Sequence, residues 1–266
     1  MGVIYLVRHG QADPVAYGIT DASGRDATDG GTGGDGGPGA GGVTGAADGE
    51  PGGLTAVGAV QAQLTGRLLA GLTDRIDAAV SGDLARQRQT LAGVLAAFDA
   101  PGPPPTVDPA WNEYELPALV GDATAAEFAD GRAYQQRLDA ALAEWISQGE
   151  NTVGAGSAPN GSSPNGVAAA GESYSTFRSR VRAAAERAAA LAGSGRTVLV
   201  VSSAGTITQL IAELWDVPAQ RWPVMARTMV NASVSKLIVG RRGISVVSFN
   251  EHAHLADRDG GVSTFR

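Results

Sequence analysis

Four short polar segments of this sequence could do chemistry together. Arg8-His9-Gly10 follows the apolar run Gly2–Val7. SGDLARQRQT (81–90) carries Arg86 and Arg88, WNEYE (111–115) carries Glu113 and Glu115, and Ser202-Ser203-Ala204-Gly205 opens a helical stretch. Together they offer an imidazole, two or three guanidiniums, a pair of carboxylates and a helix N-terminus. That mixture suits a phosphate group. Guanidinium binds phosphate through two parallel N–H bonds, and a helix N-terminus presents unpaired N–H groups to an anion. Imidazole can attack phosphorus and carry the phosphoryl group covalently. A carboxylic acid can protonate the departing oxygen.

For these residues to converge, strands must deliver them to one edge. Gly2–Val7, Ile76–Ser81, Thr106–Val107 and Thr197–Ser202 (TVLVVS) read as short apolar strands. Thr55–Ala70 reads as a helix with Thr55 as N-cap, and Asp83 as the cap of a helix over Leu84–Phe98. Ala123–Gln148 and Glu172–Ala192 are Ala-rich helical stretches, and Gly205–Trp215 is a further helix. Val234–Val239 and Ile244–Phe249 form a closing β pair around a GRRG turn. Strands alternate with helices, so the expected class is α/β, a three-layer α/β/α sandwich with a mostly parallel sheet. Ligands bind such sheets at the carboxyl ends of the strands, here after Val7, Val80, Val107 and Val201.

Composition narrows the function classes. The 266 residues include 38 Gly, 13 Pro and no Cys, which excludes a disulfide scaffold, a cysteine-ligated metal and a cysteine nucleophile. The glycine is concentrated in residues 18–53 and in the Gly/Ser/Asn/Pro-rich tract 149–171, read as a flexible insertion and a low-complexity loop in one domain spanning 1–266. A net charge of −7 argues against nucleic-acid and anionic-membrane partners. The single lysine, Lys236, lies outside any phosphate-loop pattern. The chain opens directly into an apolar β-branched run, without a leader pattern or a membrane-length stretch, and so reads as a soluble cytoplasmic protein. Two decoys drop out. Gly31–Gly36 satisfies GxGxxG without a strand before it or a helix after it. Val201 stands where a GxSxG nucleophile elbow would need glycine.

The motifs, taken in order, resemble the histidine phosphatase (phosphoglycerate-mutase-like) superfamily. YLVRHGQAD (5–13) is similar to its strand-RHG opening, LTAVGAVQA (54–62) to its LTxxGxxQA helix and SGDLARQRQT (81–90) to its SxLxRxxQT segment. WNEYE (111–115), GES (171–173) with Arg180, VLVVSSAGTI (198–207) and NEHAHL (250–255) resemble the remaining landmarks. The resemblance implies a phosphoglycerate-mutase-like fold and hydrolysis of a small phosphorylated molecule through a phosphohistidine, with no metal or organic cofactor. By the same resemblance His9 is the nucleophile and Arg8 and Arg86 clamp the phosphate. Glu113 is the general acid, with Glu115 its competitor.

One position departs from the family pattern. Ser203 stands where the family carries a second histidine beside the phosphate, and Ala204 replaces a glycine. A serine hydroxyl still binds a phosphate oxygen but brings no charge, and a charged hydrogen bond contributes roughly 1.5–3 kcal/mol against about 1 for a neutral one. His252 and His254, the other two histidines, are accessory candidates for this role. The alternatives are a phospho-ligand-binding member without catalysis and, on Ser203 with a C-terminal histidine, a serine hydrolase; a mutase fits less well.

Overall fold

The computed structural model describes residues 1–13, 19–20, 50–99, 102–121, 123–124, 131–154, 171–256 and 261–265. Six strands form the main sheet: β1 (Gly2–Arg8), β3 (Ala78–Ser81), β4 (Thr106–Val107), β6 (Thr197–Ser202), β7 (Val234–Gly240) and β8 (Gly243–Glu251). Their order is β4-β3-β6-β1-β7-β8. β4, β3, β6 and β1 pair in parallel, and β7 runs antiparallel to both β1 and β8. A separate two-stranded parallel pair joins β2 (Ile19–Thr20) to β5 (Ala123–Thr124).

The apolar runs of β1 and β6 supply both faces of the sheet at once, because successive side chains point to opposite sides. Ile4, Leu6, Val198 and Val200 enter one core, with Phe177, Val181, Ile207 and Ile211. Tyr5, Val7, Leu199 and Val201 enter the other, with Leu69, Leu91 and Val94. Helices α1 (Ala56–Leu72) and α2 (Ala85–Leu95) cover this second face. Helices α5 (Tyr174–Leu191) and α6 (Ala204–Leu214) cover the first. The result is the α/β/α sandwich. The first face also holds α3 (Leu116–Val120), α4 (Gly131–Gly154) and α7 (Trp222–Arg227). There Tyr114, Trp145, Phe177 and Trp222 meet with Tyr114 ring distances of 5.5–6.0 Å.

Several element boundaries differ from the sequence expectation. Thr55 does cap α1, its side chain accepting from Gly58 N at 3.1 Å. Asp83 does not cap α2: Leu84 holds that position. The Asp83 N–H is taken by Asn112 Oδ1 at 2.6 Å and its carboxylate by Arg88 at 3.1 Å, so the chain has not yet turned into the helix at Asp83. The strand expected over Ile76–Ser81 begins at Ala78. The helix expected over Ala123–Gln148 gives way to β5 followed by α4, and α4 runs on through Gly154, so tract 149–171 opens as helix. Residues 155–170 of that tract lie outside the described residues. Of insertion 18–53, only β2 and Glu50–Gly53 are described. Among the described residues, no helix is long and apolar enough to cross a membrane.

Candidate active site

The end of β1 is held from both sides by backbone. His9 N donates to Ser202 O of β6 at 2.9 Å, and His9 O accepts from Ala232 N at 3.2 Å, just before β7. His9 and Arg8 are each 2 % exposed. The ring of His9 is oriented by its own loop: Nδ1 lies 2.7 Å from Gly10 O. A carbonyl can only accept, so Nδ1 carries the proton and Nε2 the lone pair. Arg86 Nε, from the first turn of α2, donates to that Nε2 at 3.3 Å. The spacing between β1 and α2 is set by Thr90, whose hydroxyl accepts from Gly10 N at 3.0 Å and donates to Arg86 O at 2.7 Å. Arg8 Nη1 donates to Met229 O.

Two glycines let this loop lie against α1. A Cβ on Gly10 would stand 2.5 Å from Gly58 O, and a Cβ on Gly58 would run into Gln11 O. The glycines of the RHG and LTAVG segments are therefore one contact seen from two sides.

The carboxylate comes from the turn after β4. Asp108 caps a short 3₁₀ turn, Pro109–Trp111, and the chain then runs extended through Asn112. Glu113 Oε2 accepts from Gly205 N at 2.8 Å, so the carboxylate sits on the N-terminus of α6, where partial positive charge favours it. Tyr114 is buried among the aromatic rings and Glu115 is exposed. The segment is not a strand, and Glu113 is half-buried where Glu115 is exposed.

Ser203, 1 % exposed, is the residue before α6 and makes no side-chain cap bond. Its Oγ accepts from Gln87 Nε2 at 2.9 Å, which leaves its own proton to donate. The same Gln87 amide donates to Trp111 O at 3.1 Å, and Ser202 Oγ donates there at 2.6 Å. Gln87 thus ties the helix bearing Arg86, the turn bearing Glu113 and the start of α6 into one unit. Arg180 braces that turn from outside. It forms a two-pronged ion pair with Glu172 at 2.6 and 2.8 Å and donates to Ala110 O at 3.0 Å and Asn112 O at 2.8 Å.

The model of the histidine phosphatase superfamily (branch 1) matches residues 38–252. The chain is a histidine phosphatase superfamily member. A comparison with curated protein sequences finds no match. Solved structures share the fold. A mycobacterial glucosyl-3-phosphoglycerate phosphatase in complex with VO3 is 21 % identical with a TM-score of 0.55, covering 95 % of this chain and 100 % of its own. A phosphoserine phosphatase variant from Entamoeba histolytica in complex with phosphoserine is 16 % identical with a TM-score of 0.55, covering 96 % and 100 %. The α-ribazole phosphatase from Shigella flexneri is 19 % identical with a TM-score of 0.54, covering 94 % and 96 %.

Within this superfamily member, Arg86 meets the His9 ring, Ser203 joins the same carboxyl-end cluster through Gln87, and Glu113 lies beside it on α6. The two remaining histidines take other partners. His252 Nδ1 lies 2.6 Å from Asn250 O. His254 Nε2 lies 2.8 Å from Thr65 Oγ1, which itself donates to Ala232 O at 2.8 Å. Burial lowers the His254 pKa from 6.5. Arg88 faces outward, paired with Glu50 and Asp83. Sequence reasoning missed Gln87 as a bridge and Arg180 as a brace. Gln87 is one of several polar residues on its helix, and the partners of Arg180 lie about 70 residues away. Among the described residues, no group of three or more His, Asp or Glu side chains could hold a metal ion.

Proposed function

We propose that this chain hydrolyses a small phosphomonoester through a phosphohistidine on His9. The observation that carries the reading is the state of the His9 ring: Nδ1–H is committed to Gly10 O, and Nε2 faces the Arg86 guanidinium. A nucleophile needs that lone pair, and a phosphate needs that cation.

In the first step Nε2 forms a bond to phosphorus while the phosphorus–oxygen ester bond breaks. Glu113, as the acid, gives its proton to the leaving alcohol oxygen. Arg86 shifts from the ring nitrogen to the phosphoryl oxygens, with Arg8 and the Ser203 hydroxyl as further phosphate contacts. In the second step Glu113, now a carboxylate, takes a proton from water, whose oxygen attacks phosphorus. The N–P bond breaks, and inorganic phosphate leaves with His9 and Glu113 restored. The relatives named above support a small phosphorylated metabolite as the substrate class.

Turnover of p-nitrophenyl phosphate at mildly acidic pH tests the reading. The expected result is phosphate release by the parent and none by His9→Ala. Equal turnover in His9→Ala overturns the phosphohistidine route. Phosphate binding by the parent without turnover of any phosphomonoester points instead to a non-catalytic phospho-ligand binder, the outcome that Ser203 in place of a second histidine would favour.

A further inference from the structure

The tripeptide that carries His9 is held at both ends by a polar network that the phosphate chemistry does not use. At one end His9 O accepts from Asn231 Nδ2 at 3.2 Å, alongside Ala232 N. At the other, Gln11 N donates to Gln61 Oε1 at 2.7 Å. Asn231 is 2 % exposed and Gln61 is fully buried. The far ends of both amides converge on one hydroxyl. Gln61 Nε2 donates to Thr264 Oγ1 at 2.8 Å, and Thr264 Oγ1 donates to Asn231 Oδ1 at 3.1 Å. The segment carrying this hydroxyl is itself tied down. Gln61 Nε2 also donates to Val262 O at 2.6 Å, and Asn231 N donates to Thr264 O at 3.0 Å. Val262 packs with Leu64, Val230, Ala232 and Leu255.

The network reaches the ring through a single peptide plane. Gly10 C=O and Gln11 N–H belong to the same planar unit. Fixing the Gln11 N–H on Gln61 therefore aims the Gly10 carbonyl, and that carbonyl accepts from His9 Nδ1. The carbonyl selects the tautomer and the ring plane. A hydroxyl that accepts from one amide and donates to the other fixes the orientation of both.

We infer that Val262–Thr264 is a latch that holds the His9 ring ready for attack, with Thr264, Gln61 and Asn231 as positioning residues. The inference rests on the reading of His9 as nucleophile. Reacting groups held slightly out of line lose about 100-fold in rate for a displacement of about 1 Å.

The experiment compares the full chain with Thr264→Val, which removes the hydroxyl at nearly constant volume, and with Thr264→Ser, which keeps it. The expected result with p-nitrophenyl phosphate is a kcat about 10- to 100-fold lower in Thr264→Val with KM near parental, and recovery of kcat in Thr264→Ser. Nitrogen-15 spectra of the His9 imidazole give a second readout that needs no turnover: a single Nδ1–H tautomer in the parent and a mixture in Thr264→Val. Parental kcat in Thr264→Val, a parental His9 tautomer in that variant, or a loss that serine does not restore overturns the latch. Thr264→Ala takes the place of the valine variant if that protein does not fold. If His9→Ala retains turnover, the nucleophile reading fails by itself, and the His9 spectrum still decides whether the latch sets the ring.

Discussion

Arg86 Nε lies 3.3 Å from His9 Nε2, and the Gly10 carbonyl holds the opposite ring nitrogen at 2.7 Å. A guanidinium N–H cannot point at a protonated nitrogen, so the two contacts agree on one tautomer. Arg86 therefore faces the lone-pair side of the His9 ring.

The placement of the two glutamates separates them experimentally. Glu113 sits on Gly205 N at the start of α6 and Glu115 is exposed. Glu113→Gln is expected to lower kcat on an alkyl phosphate by about 10²- to 10⁴-fold. The loss should be smaller on p-nitrophenyl phosphate, whose leaving group needs little help from an acid. Glu115→Gln should stay near parental. Steady-state kinetics on the two substrates check this, and the reverse ranking of the two glutamates would assign the acid to Glu115.

Arg180 touches no reacting group, yet it holds two carbonyls of the turn that carries Glu113. Arg180→Ala leaves those carbonyls and Glu172 without their donor. The expected cost is about 1–3 kcal/mol of stability, together with a lower kcat as Glu113 loses its anchorage. Urea denaturation and turnover measured on the same preparation check both effects. Full stability with full activity would remove Arg180 from this role.

The Gly10–Gly58 contact predicts opposite signs for two alanines on one helix. Gly58→Ala places a methyl against the Gln11 backbone and is expected to destabilise by about 1–3 kcal/mol. Gly71, near the end of α1, has open space around an added Cβ, so Gly71→Ala is expected to stabilise by about 0.5–1 kcal/mol. Chemical denaturation midpoints give the comparison.

His254 makes stability depend on pH in a definite direction. Its pKa in the fold lies below the ordinary 6.5 because burial outweighs the hydrogen bond involving Ala232. As pH falls below 6.5, the unfolded chain takes up a proton that the fold resists. The contribution of His254 is therefore complete above 6.5 and declines as pH drops toward the lowered folded value. His254→Asn should flatten the loss of Tm on acidification relative to the parent. Parallel Tm profiles would contradict the assignment.

The parts of the fold legible in the sequence are those that local pattern dictates. The unbroken apolar runs of β1 and β6 have a partner core on each face, as strands covered on both sides must. Thr55 lies at the cap its position announces. Where a distant residue intervenes, local reading fails. Asp83 has the chemistry of a helix cap, but Asn112 takes its N–H from 29 residues away. Glu113 and Glu115, two positions apart, would share a face on one strand, so spacing does not rank them; the segment between β4 and α3 holds a 3₁₀ turn rather than a strand, and Glu113 reaches the distant Gly205 N. The hold on the back of the His9 loop was illegible for the same reason, because Gln61 and Thr264 are 203 positions apart.

The most direct test of the account is to mix the protein with a phosphomonoester labelled in its phosphoryl group, quench in denaturing base within the first turnovers, and map the label by mass spectrometry. The expected result is a base-stable, acid-labile phosphoryl group on His9 that vanishes in His9→Ala. Turnover without a phosphoenzyme, or a label on any other residue such as Ser203, would contradict it.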